Sequence, residues 1–320
     1  PVKLIWSREE DTRHDVYRPA MLHRMRASVS GDRLTGWHHQ IVGPQILDWY
    51  LRNAAPAQYP WAPKFLYGTL GRVGLMAEGI ATPKDHSAIE GAIEYPYRVP
   101  NLDIRHTHTD PGVPVSWWRS VGFSHNGFAV ETFMDELAHE VDQDPYRFRR
   151  SLIDHEPRHL GVLDRVAQLA QWDSAAPEGR ARGVALFRSF GTYVAQVVEA
   201  SVEFGEIRVH RVFCAVDCGQ VVNPDIVRDQ IEGGIIFGLT AALYGNITLE
   251  DGQVKQSNFH DYPLVRHDQR PEVVVNIIDS DELPTGVGEP GVPPVIPALG
   301  NALFALTGKR QRSLPLKATV

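Results

Sequence analysis

Cysteine is scarce in this sequence: Cys214 and Cys218 are the only two among 320 residues. Their C-x3-C spacing fits neither a disulfide framework nor the C-x2-C pair that is typical of zinc sites. We therefore expect both to be small buried side chains, on a strand or directly after it. Long apolar runs are missing too, because no segment approaches the ~20 residues that a membrane-spanning helix needs.

Fingerprints for phosphate binding are also absent. No G-x-G-x-x-G motif follows a predicted strand and no P-loop occurs, which argues against a conventional nicotinamide or flavin enzyme. Basic residues are not in excess, since 32 Lys and Arg stand against 39 Asp and Glu, and this disfavours a nucleic-acid surface. The length suits two domains, and the composition predicts a globular protein that binds a small molecule.

The first part of the chain favours an antiparallel sheet. Segments 23–30 (HRMRASVS) and 36–43 (GWHHQIVG) have strand character, and the short turn between them predicts a hairpin. Residues 2–6 (VKLIW) are predicted to form another strand. Residues 51–115 are rich in Pro, Gly and Tyr and predict loops and short helices, which close on a strand around 102–108.

Helical periodicity becomes strong after this region. Apolar residues at helical spacing from Phe128 to Val141 predict a helix that begins near His125. Asp144, followed by Pro145, predicts the start of a second helix. The first half of the chain therefore ends in helices that can cover its sheet.

The second half of the chain predicts a second sheet. Its candidate strands are residues 183–190, 193–202, 207–217 and 272–279. A helix over 160–171 precedes them, and Asn223 as N-cap, with Pro224 at the first helical position, predicts a helix up to about Tyr244. These elements predict an α+β protein with two layered mixed α/β halves, which we divide into residues 1–155 and 156–320.

Two loops combine glycine with residues able to bind a ligand. The first, residues 115–128 (VSWWRSVGFSHNGF), places Arg119 before a predicted helix start, where backbone N–H groups and a guanidinium could bind a phosphate or an oxyanion. The alternative is an aromatic core beside a solvated arginine. In the second, residues 188–196 (RSFGTYVAQ), Gly191 stands in a predicted strand interior, where glycine marks a bulge or the close approach of a ligand.

A third segment, residues 217–243, leads from a strand into a helix. It contains Gln230, whose amide can both donate and accept hydrogen bonds. Gly233, Gly234 and Gly238 would let another backbone or a flat ligand pack closely. Packing of one helix against another is the alternative interpretation of these glycines.

One acidic residue has unusual neighbours: Glu289 lies in the stretch GVGEPGVPPVIPALGNAL, residues 286–303. Gly288 permits close approach of a ligand, while Pro290 and Pro297 stiffen the segment after the glutamate. A carboxylate on such a rigid apolar loop is expected to be partly desolvated, which raises its pKa and suits it to act as a base. A structural cap is the alternative.

Four motifs in chain order resemble the molybdenum-binding large subunit of the xanthine oxidase family. They are WRSVG, SFGTYVAQVVE, DCGQVVNP with DQIEGG, and GVGEPGVPP. The resemblance runs over essentially all 320 residues. It is greatest for the large (beta) subunits of bacterial aldehyde dehydrogenases and of isoquinoline 1-oxidoreductase, whose opening strand is similar to PVKLIWSREEDTRHDVYRPA.

The resemblance implies a molybdenum hydroxylase, an oxidoreductase that converts an aldehyde to a carboxylic acid or hydroxylates an N-heterocycle with water as the oxygen source. It implies that the molybdenum is held through the dithiolene of molybdopterin, in bacteria often the cytosine dinucleotide form, and not directly by side chains. In the family, the glutamate equivalent to Glu289 is the catalytic base, and electrons leave through iron–sulfur clusters on a partner subunit.

Carried across position by position, the resemblance also implies a set of cofactor contacts. Beside the catalytic Glu289, these are Arg119, Ser120, Val121, Gly122, Phe190, Gly191, Thr192, Gln230 and Gly288. Residues 1–155 would form the first part of the molybdenum-cofactor-binding region, and residues 156–320 the second cofactor-binding domain with the glutamate loop.

One family feature is missing. In the family, a glycine-rich GGGFG-type loop comes just before the strand with which this chain begins. We therefore expect the chain to correspond to about the C-terminal half of a large subunit and to need an N-terminal partner portion, separate or processed, as well as the iron–sulfur subunit. A cytochrome subunit and a periplasmic or membrane-associated location are implied by resemblance alone. The alternative is a catalytically silent assembly or binding fragment that holds no metal cofactor by itself.

Overall fold

The first regular element is a short helix and not a strand. The computed structural model describes residues 2–31, 33–47, 56, 59–77, 86–94, 96–110 and 112–318. Helix α1 (Arg8–Arg13) begins after Ser7, whose hydroxyl oxygen accepts a hydrogen bond from Glu10 N. The predicted strand at residues 2–6 is wrong, because these residues are exposed and none of the described strands pairs with them.

The first sheet has three strands. The predicted hairpin joins β1 (Leu22–Ser30) to β2 (Arg33–Gly43) in antiparallel register. Helix α2 (Tyr67–Ala77), preceded by a 3-10 turn (Lys64–Leu66), lies in the connection to β3 (Asn101–His108), which runs parallel to β2. The sheet is therefore mixed and not antiparallel as predicted, because a connection of this length can return the chain in the same direction. Parts of the predicted loop region 51–115 lie outside the described residues, namely 51–55, 57–58, 78–85, 95 and 111.

Three helices follow the first sheet: α3 (Val121–Glu140), α4 (Pro145–Leu152) and α5 (Pro157–Leu169). Helix α3 begins at Val121, earlier than the predicted start near His125. Helix α4 begins where it was predicted, since Asp144 Oδ1 accepts a hydrogen bond from Arg147 N at 2.9 Å. The side-chain cap thus fixes the boundary between α3 and α4.

The second half of the chain forms strands, helices and a second sheet. In chain order these elements are β4 (Ala181–Ser189), β5 (Thr192–Glu203), β6 (Glu206–Asp217), α6 (Pro224–Leu243), β7 (Leu249–Glu250), β8 (Gln253–Val254), a 3-10 turn (His267–Gln269), β9 (Glu272–Ile277) and α7 (Val295–Thr307). The sheet order is β4-β5-β6-β9, antiparallel except for the β6–β9 pair. The four predicted strands and the helix capped by Asn223 are confirmed. Among all helices in the described part of the chain, none is long and apolar enough to span a bilayer.

Helices cover both faces of the second sheet. Helix α5 packs on β5 and β6, helix α7 packs on β4 and β5, and α6 lies against α7 and β9. Alternate residues of β5 and β6 therefore join two different apolar clusters, one with α6 and α7 and the other with α3, α4 and α5. Long buried runs such as residues 194–201 of β5 are typical of strands that are covered on both faces. The fold is α+β, as predicted.

Both cysteines are free and buried, Cys214 within β6 and Cys218 directly after it, as the sequence predicts. Burial raises the pKa of the Cys214 thiol to about 12. This thiol consequently has no thiolate character at neutral pH.

Candidate active site

The loop that carries Arg119 makes a sharp turn. Ser120 and Val121 have φ values of 82° and 47°, in the left-handed region that residues other than glycine rarely adopt. This turn directly precedes the body of α3. Both Arg119 and Ser120 bond to residues 288–289, so the turn is tied to the glutamate loop.

Ser120 holds Glu289 by two hydrogen bonds. Its backbone N–H donates to Glu289 Oε2 at 2.7 Å, and its hydroxyl donates to the Glu289 backbone oxygen at 2.7 Å. The glutamate is half-buried, and none of the described donors is bonded to its Oε1. Glu289 therefore has one fixed and one open carboxylate oxygen. Glu289 also acts in part as a structural cap, the alternative interpretation, because its carboxylate accepts a hydrogen bond from the backbone N–H of Ser120 at the start of α3.

Arg119 ties three segments together. Its Nε donates to Gly288 O at 2.8 Å, and its Nη2 donates to Gly288 O and also to Gln230 O and Oε1, at 3.3 and 3.1 Å. Burial of the guanidinium lowers the pKa of Arg119, while the charge of nearby Glu289 opposes this. The arginine loop, helix α6 and the glutamate loop are thus fixed relative to one another.

The predicted anion site at the start of α3 has fewer free hydrogen-bond donors than expected. The Ser120 N–H is bonded to Glu289, and the Gly122 N–H donates to Glu90 Oε2 at 3.3 Å. On Arg119 only Nη1 remains without an acceptor in the described part of the chain. The preceding Trp118 packs its ring on Phe237 with centroids 4.7 Å apart. An anion could therefore meet one guanidinium nitrogen here, but not the helix N-terminus.

Phe190 and Gly191 form a two-residue hairpin turn between β4 and β5. Their φ values of 52° and 80° have the sign that a type I′ turn requires at both positions. Gly191 therefore lies in a turn and not in a strand interior as predicted. The sequence did not reveal the turn, because the apolar pattern continues across so short a connection. The Phe190 ring stays 42% exposed and lies 5.4 Å from the ring of Phe123 in α3.

Hydrogen bonds join this turn to the segment before Glu289. Thr192 Oγ1 donates to Gly286 O at 2.6 Å and lies 2.7 Å from Thr285 Oγ1. The Gly286 N–H donates to Phe190 O at 3.2 Å. The turn predicted to pass beside the cofactor is thus packed directly on the glutamate loop.

The glycines of α6 have two different roles. A side chain on Gly234 would meet Gly291 at 3.3 Å, and one on Gly238 would meet Val295 at 2.5 Å, so both positions let α6 pack on the chain after Glu289. At Gly233 the nearest atom is Arg119 Nη1, at 3.9 Å. The packing interpretation holds for Gly234 and Gly238, whereas Gly233 leaves room beside the arginine.

Gln196 is a residue of this region that sequence reasoning missed. It is fully buried in β5, and its Nε2 donates to Gly291 O at 2.9 Å. Its Oε1 is buried without a hydrogen-bond partner in the described residues. The signal was an amide in the middle of an apolar run (VAQVV), because a buried polar group needs a specific partner.

The site has three open polar groups. The described residues contain no group of three or more His, Cys, Asp or Glu placed to hold a metal ion. The open groups are Arg119 Nη1, the exposed Gln230 amide N–H groups and Glu289 Oε1. Such donors and one carboxylate suit a polar organic cofactor that brings its own metal, so the residues present fit a group of the molybdopterin class.

Comparisons with known proteins identify the class of the chain. Residues 159–271 match the molybdopterin cofactor-binding domain family. Isoquinoline 1-oxidoreductase subunit beta from Brevundimonas diminuta is 31% identical over 323 residues, which covers 99% of this chain. The chain contains a molybdopterin cofactor-binding domain of the kind found in the large subunits of the xanthine oxidase family.

One further relative and one solved structure extend the comparison. The membrane-bound aldehyde dehydrogenase [pyrroloquinoline-quinone] of Gluconacetobacter polyoxogenes is 29% identical over 352 residues, again 99% of this chain. Quinoline 2-oxidoreductase from Pseudomonas putida 86 superposes with a TM-score of 0.74 at 13% identity, over 97% of this chain and 62% of that one, and so shares the fold. The chain spans only 38% and 42% of the two curated relatives.

Proposed function

We propose that this chain supplies the catalytic base and part of the cofactor pocket of a molybdenum hydroxylase. The proposed reaction oxidises an aldehyde to a carboxylic acid, or hydroxylates an N-heterocycle, with water as the oxygen source. One observation carries the proposal: the half-buried Glu289 is fixed through Oε2 and its own carbonyl by Ser120, while Oε1 stays open. A general base needs this combination of fixed orientation and an accessible oxygen.

The roles of the surrounding residues follow from their contacts. Glu289 Oε1 is assigned to accept the proton of the oxygen nucleophile that comes from water. The Ser120 N–H supports the carboxylate as an acceptor at Oε2, and Arg119 fixes the preceding carbonyl of Gly288. In the net reaction, a C–H bond is replaced by a C–O bond, and two electrons and two protons leave.

Molybdopterin with molybdenum, in its cytosine dinucleotide form, is the proposed cofactor. When bound, it supplies the metal and takes up the two electrons. We assign Arg119 Nη1 and the Gln230 amide as donors to it, with segments 120–122 and 190–192 and Gly288 lining the same side. The family match over residues 159–271 supports a cofactor of this class.

Both substrate classes are supported by relatives. Isoquinoline 1-oxidoreductase is named for an N-heterocycle, and the Gluconacetobacter protein is named an aldehyde dehydrogenase. An aldehyde is our first choice of substrate. Neither the WWRSVGF segment nor the Glu289 loop fixes this choice.

Further polypeptides complete the proposed enzyme. Because the chain spans about two fifths of its curated relatives, we propose that an N-terminal large-subunit portion completes the pocket. Electrons would leave through an iron–sulfur subunit and, in an exported complex, a cytochrome subunit. We retain the division into 1–155 and 156–320, and the family match that begins at residue 159 supports the boundary.

Glu289→Gln tests the proposed base, because it keeps the shape and removes the proton acceptor. The variant and the wild-type protein are purified from the native host with every companion polypeptide, and turnover is measured with aldehyde and N-heterocycle panels and an artificial electron acceptor. We expect turnover to fall by ~10²–10⁴-fold, the usual contribution of a general base, with an unchanged molybdenum content.

Ser120→Ala keeps the backbone N–H but loses the hydroxyl. We expect this variant to lower turnover by about 3–10-fold, as for the loss of one hydrogen bond.

Glu282→Gln is the matched control, because this exposed carboxylate lies in the same segment, and it should leave turnover unchanged. Full activity of Glu289→Gln with metal retained would show that another group is the base. Wild-type material without molybdenum would instead favour the catalytically silent assembly fragment.

A further inference from the structure

A cleft of about 1080 Å³ lies beside the candidate active site. It is lined by residues from segments 8–25, 241–264 and 311–314 and by one face of α3. Trp118 separates the two places: it lines the cleft, whereas the next residue, Arg119, bonds to Gly288 next to Glu289. The cleft therefore adjoins the glutamate site without forming part of it.

Arg18 places a positive charge in the wall of this cleft. Its guanidinium carbon lies 4.2 Å from the centroid of the Trp118 ring, and its Nη2 donates to Ser124 Oγ at 3.2 Å. One side of the group faces the cleft, yet burial lowers the pKa of Arg18 to about 10, so it remains charged at neutral pH. In the described part of the chain, no carboxylate lies within ion-pair distance of Arg18.

The surroundings do not neutralise this charge. The wall holds three carboxylates, of which two are paired at 2.6 Å each, in Arg8–Asp11 and Arg312–Glu136. The third, Asp15, is exposed, accepts a hydrogen bond from Val16 N and forms no ion pair among the described residues. The imidazoles of His23 and His125 also line the cleft, and burial lowers the pKa of both, of His23 to about 4. A partly buried charge that is unpaired in this way is costly, and an anionic group entering the cleft would relieve the cost.

The rim of the cleft is apolar and exposed. Large side chains with 39–69% of their surface accessible surround it, namely Val16, Leu22, Leu249, Phe259 and Leu264. Residues 2–6, which precede α1 in the chain, include further exposed apolar side chains and pair with none of the described strands. A contiguous apolar patch of this kind marks an interaction surface. A small anion would pair with Arg18 and leave the apolar rim exposed. A polypeptide segment would both pair with Arg18 and cover the rim.

We propose that the cleft docks a polypeptide segment from the part of the large subunit that this chain does not span, with an Asp or Glu paired to Arg18. Two observations favour this occupant. The chain covers only 38% and 42% of its curated relatives, and within the apolar rim lies Arg18, with which no described carboxylate pairs. The inference rests on the proposed assembly of the enzyme from further polypeptide. It does not depend on Glu289 being the base.

Photo-crosslinking at the rim tests the occupant. A photoreactive phenylalanine analogue replaces Leu22, which is 69% exposed, in the complex purified from the native host. We expect a cross-link to a polypeptide that aligns with the uncovered part of the relatives, within a segment that contains Asp or Glu. Cross-links only to a second copy of this chain, only to unrelated polypeptides, or to nothing would overturn the proposal.

Arg18→Leu tests the paired carboxylate. We expect the dissociation constant for the aligned polypeptide to rise by at least about tenfold, as for truncation of one partner of a buried charge pair. The matched control is Arg26→Leu, an exposed strand arginine outside the cleft, which should leave binding unchanged. Circular dichroism and the thermal unfolding midpoint establish that both variants are folded.

Titration with inorganic phosphate tests whether the cleft binds a small anion instead of a polypeptide segment. Phosphate that binds the wild-type chain tightly and is lost in Arg18→Leu, with polypeptide binding unaffected, would contradict the proposal. Because Glu289→Gln is expected to leave the cross-link intact, failure of the docking proposal and failure of the proposed catalytic base give different results.

Discussion

Arg149 and Arg18 are two arginines in confined surroundings, and they differ in what surrounds the charge. Arg149 is fully buried, and it donates to Glu131 Oε2 at 2.9 Å, to Glu131 O at 2.7 Å and to Pro145 O at 3.1 Å. Although burial opposes it, the charge of Glu131 raises the pKa of Arg149. Arg18 has one hydroxyl and one aromatic face instead. The region around Arg149 is complete in this chain, whereas the region around Arg18 is built to receive a partner.

The two sheets differ in the same way. The second sheet is buried on both faces by α5, α6 and α7. In the first sheet β2 alternates between buried and half-exposed residues, and β1 has no buried residue. A sheet covered on one face needs less apolar sequence and leaves a surface for another element. The second sheet is therefore covered on both faces, whereas the first sheet has one face with less cover.

The largest expected contrast is between the two arginines. Arg149→Leu leaves the Glu131 carboxylate buried without its cation, which should lower the free energy of unfolding by about 3–5 kcal/mol. Arg18→Leu in the isolated chain removes a charge that has no counter-charge among the described residues, and we expect the free energy of unfolding to stay the same or to rise. Urea unfolding followed by circular dichroism measures both.

An exposed ion pair provides the control for this contrast. Arg147 and Asp173 are 64% and 75% exposed, and Arg147→Leu should cost less than about 1 kcal/mol. Equal costs for Arg149→Leu and Arg18→Leu would remove the distinction between the two regions.

Glycines on the two sheets provide the next contrast. A Cβ on Gly183 of β4 would lie 2.2 Å from Ala302 N and 2.3 Å from Ala298 O, both backbone atoms of α7. Gly183→Ala should therefore force the helix away and cost about 2–3 kcal/mol. A Cβ on Gly36 of β2 would meet only the movable Ser28 hydroxyl at 2.7 Å, and Gly36→Ala should cost less than about 1 kcal/mol.

The thermal unfolding midpoint measures both alanine variants. Gly161→Ala is the matched control, because a Cβ there meets no atom within 4 Å and alanine favours a helix interior by up to ~1 kcal/mol. If Gly36→Ala were as damaging as Gly183→Ala, the first sheet would be packed as tightly as the second.

An acid dependence to which the first sheet contributes provides a further contrast. His23 in β1 and His39 in β2 lie 2.9 Å apart, Nδ1 to Nε2, and burial lowers the pKa of His23 to about 4 and of His39 to about 3. Between pH 6.5 and 4 the unfolded chain binds protons that the folded chain excludes. Stability is therefore complete above about pH 6.5 and falls on acidification, by up to ~1.4 kcal/mol per pH unit for each histidine.

Urea unfolding at pH 7, 6, 5 and 4 tests this dependence. His39→Phe should give a shallower loss of stability with falling pH than the wild-type protein. His260→Asn is the control, since this imidazole is 74% exposed, and its slope should equal that of the wild type. A His39→Phe slope that is equally steep would place the acid dependence elsewhere.

Local signals in the sequence predicted most of the elements. Asn223 and Asp144 cap the helices that they were predicted to begin, and long apolar runs predicted the second sheet. Two errors have physical causes: Phe190–Gly191 is a turn that interrupts no apolar pattern, and residues 2–6 have strand propensity but no described partner strand. Propensity describes one segment, whereas a strand also requires a neighbour.

By itself the sequence determined the fold class and the resemblance to the family, because caps, apolar periods and motif order act within short stretches of chain. Only the tertiary structure showed that Ser120 forms hydrogen bonds to Glu289 across 169 residues of sequence and that Arg119 bonds to Gly288 and Gln230. It also showed that Arg18 lines a cleft in which no described carboxylate pairs with it. These contacts depend on where two sheets and their helices bring distant loops. Hydrogen bonds and charge balance can be counted only after the packing has placed both partners.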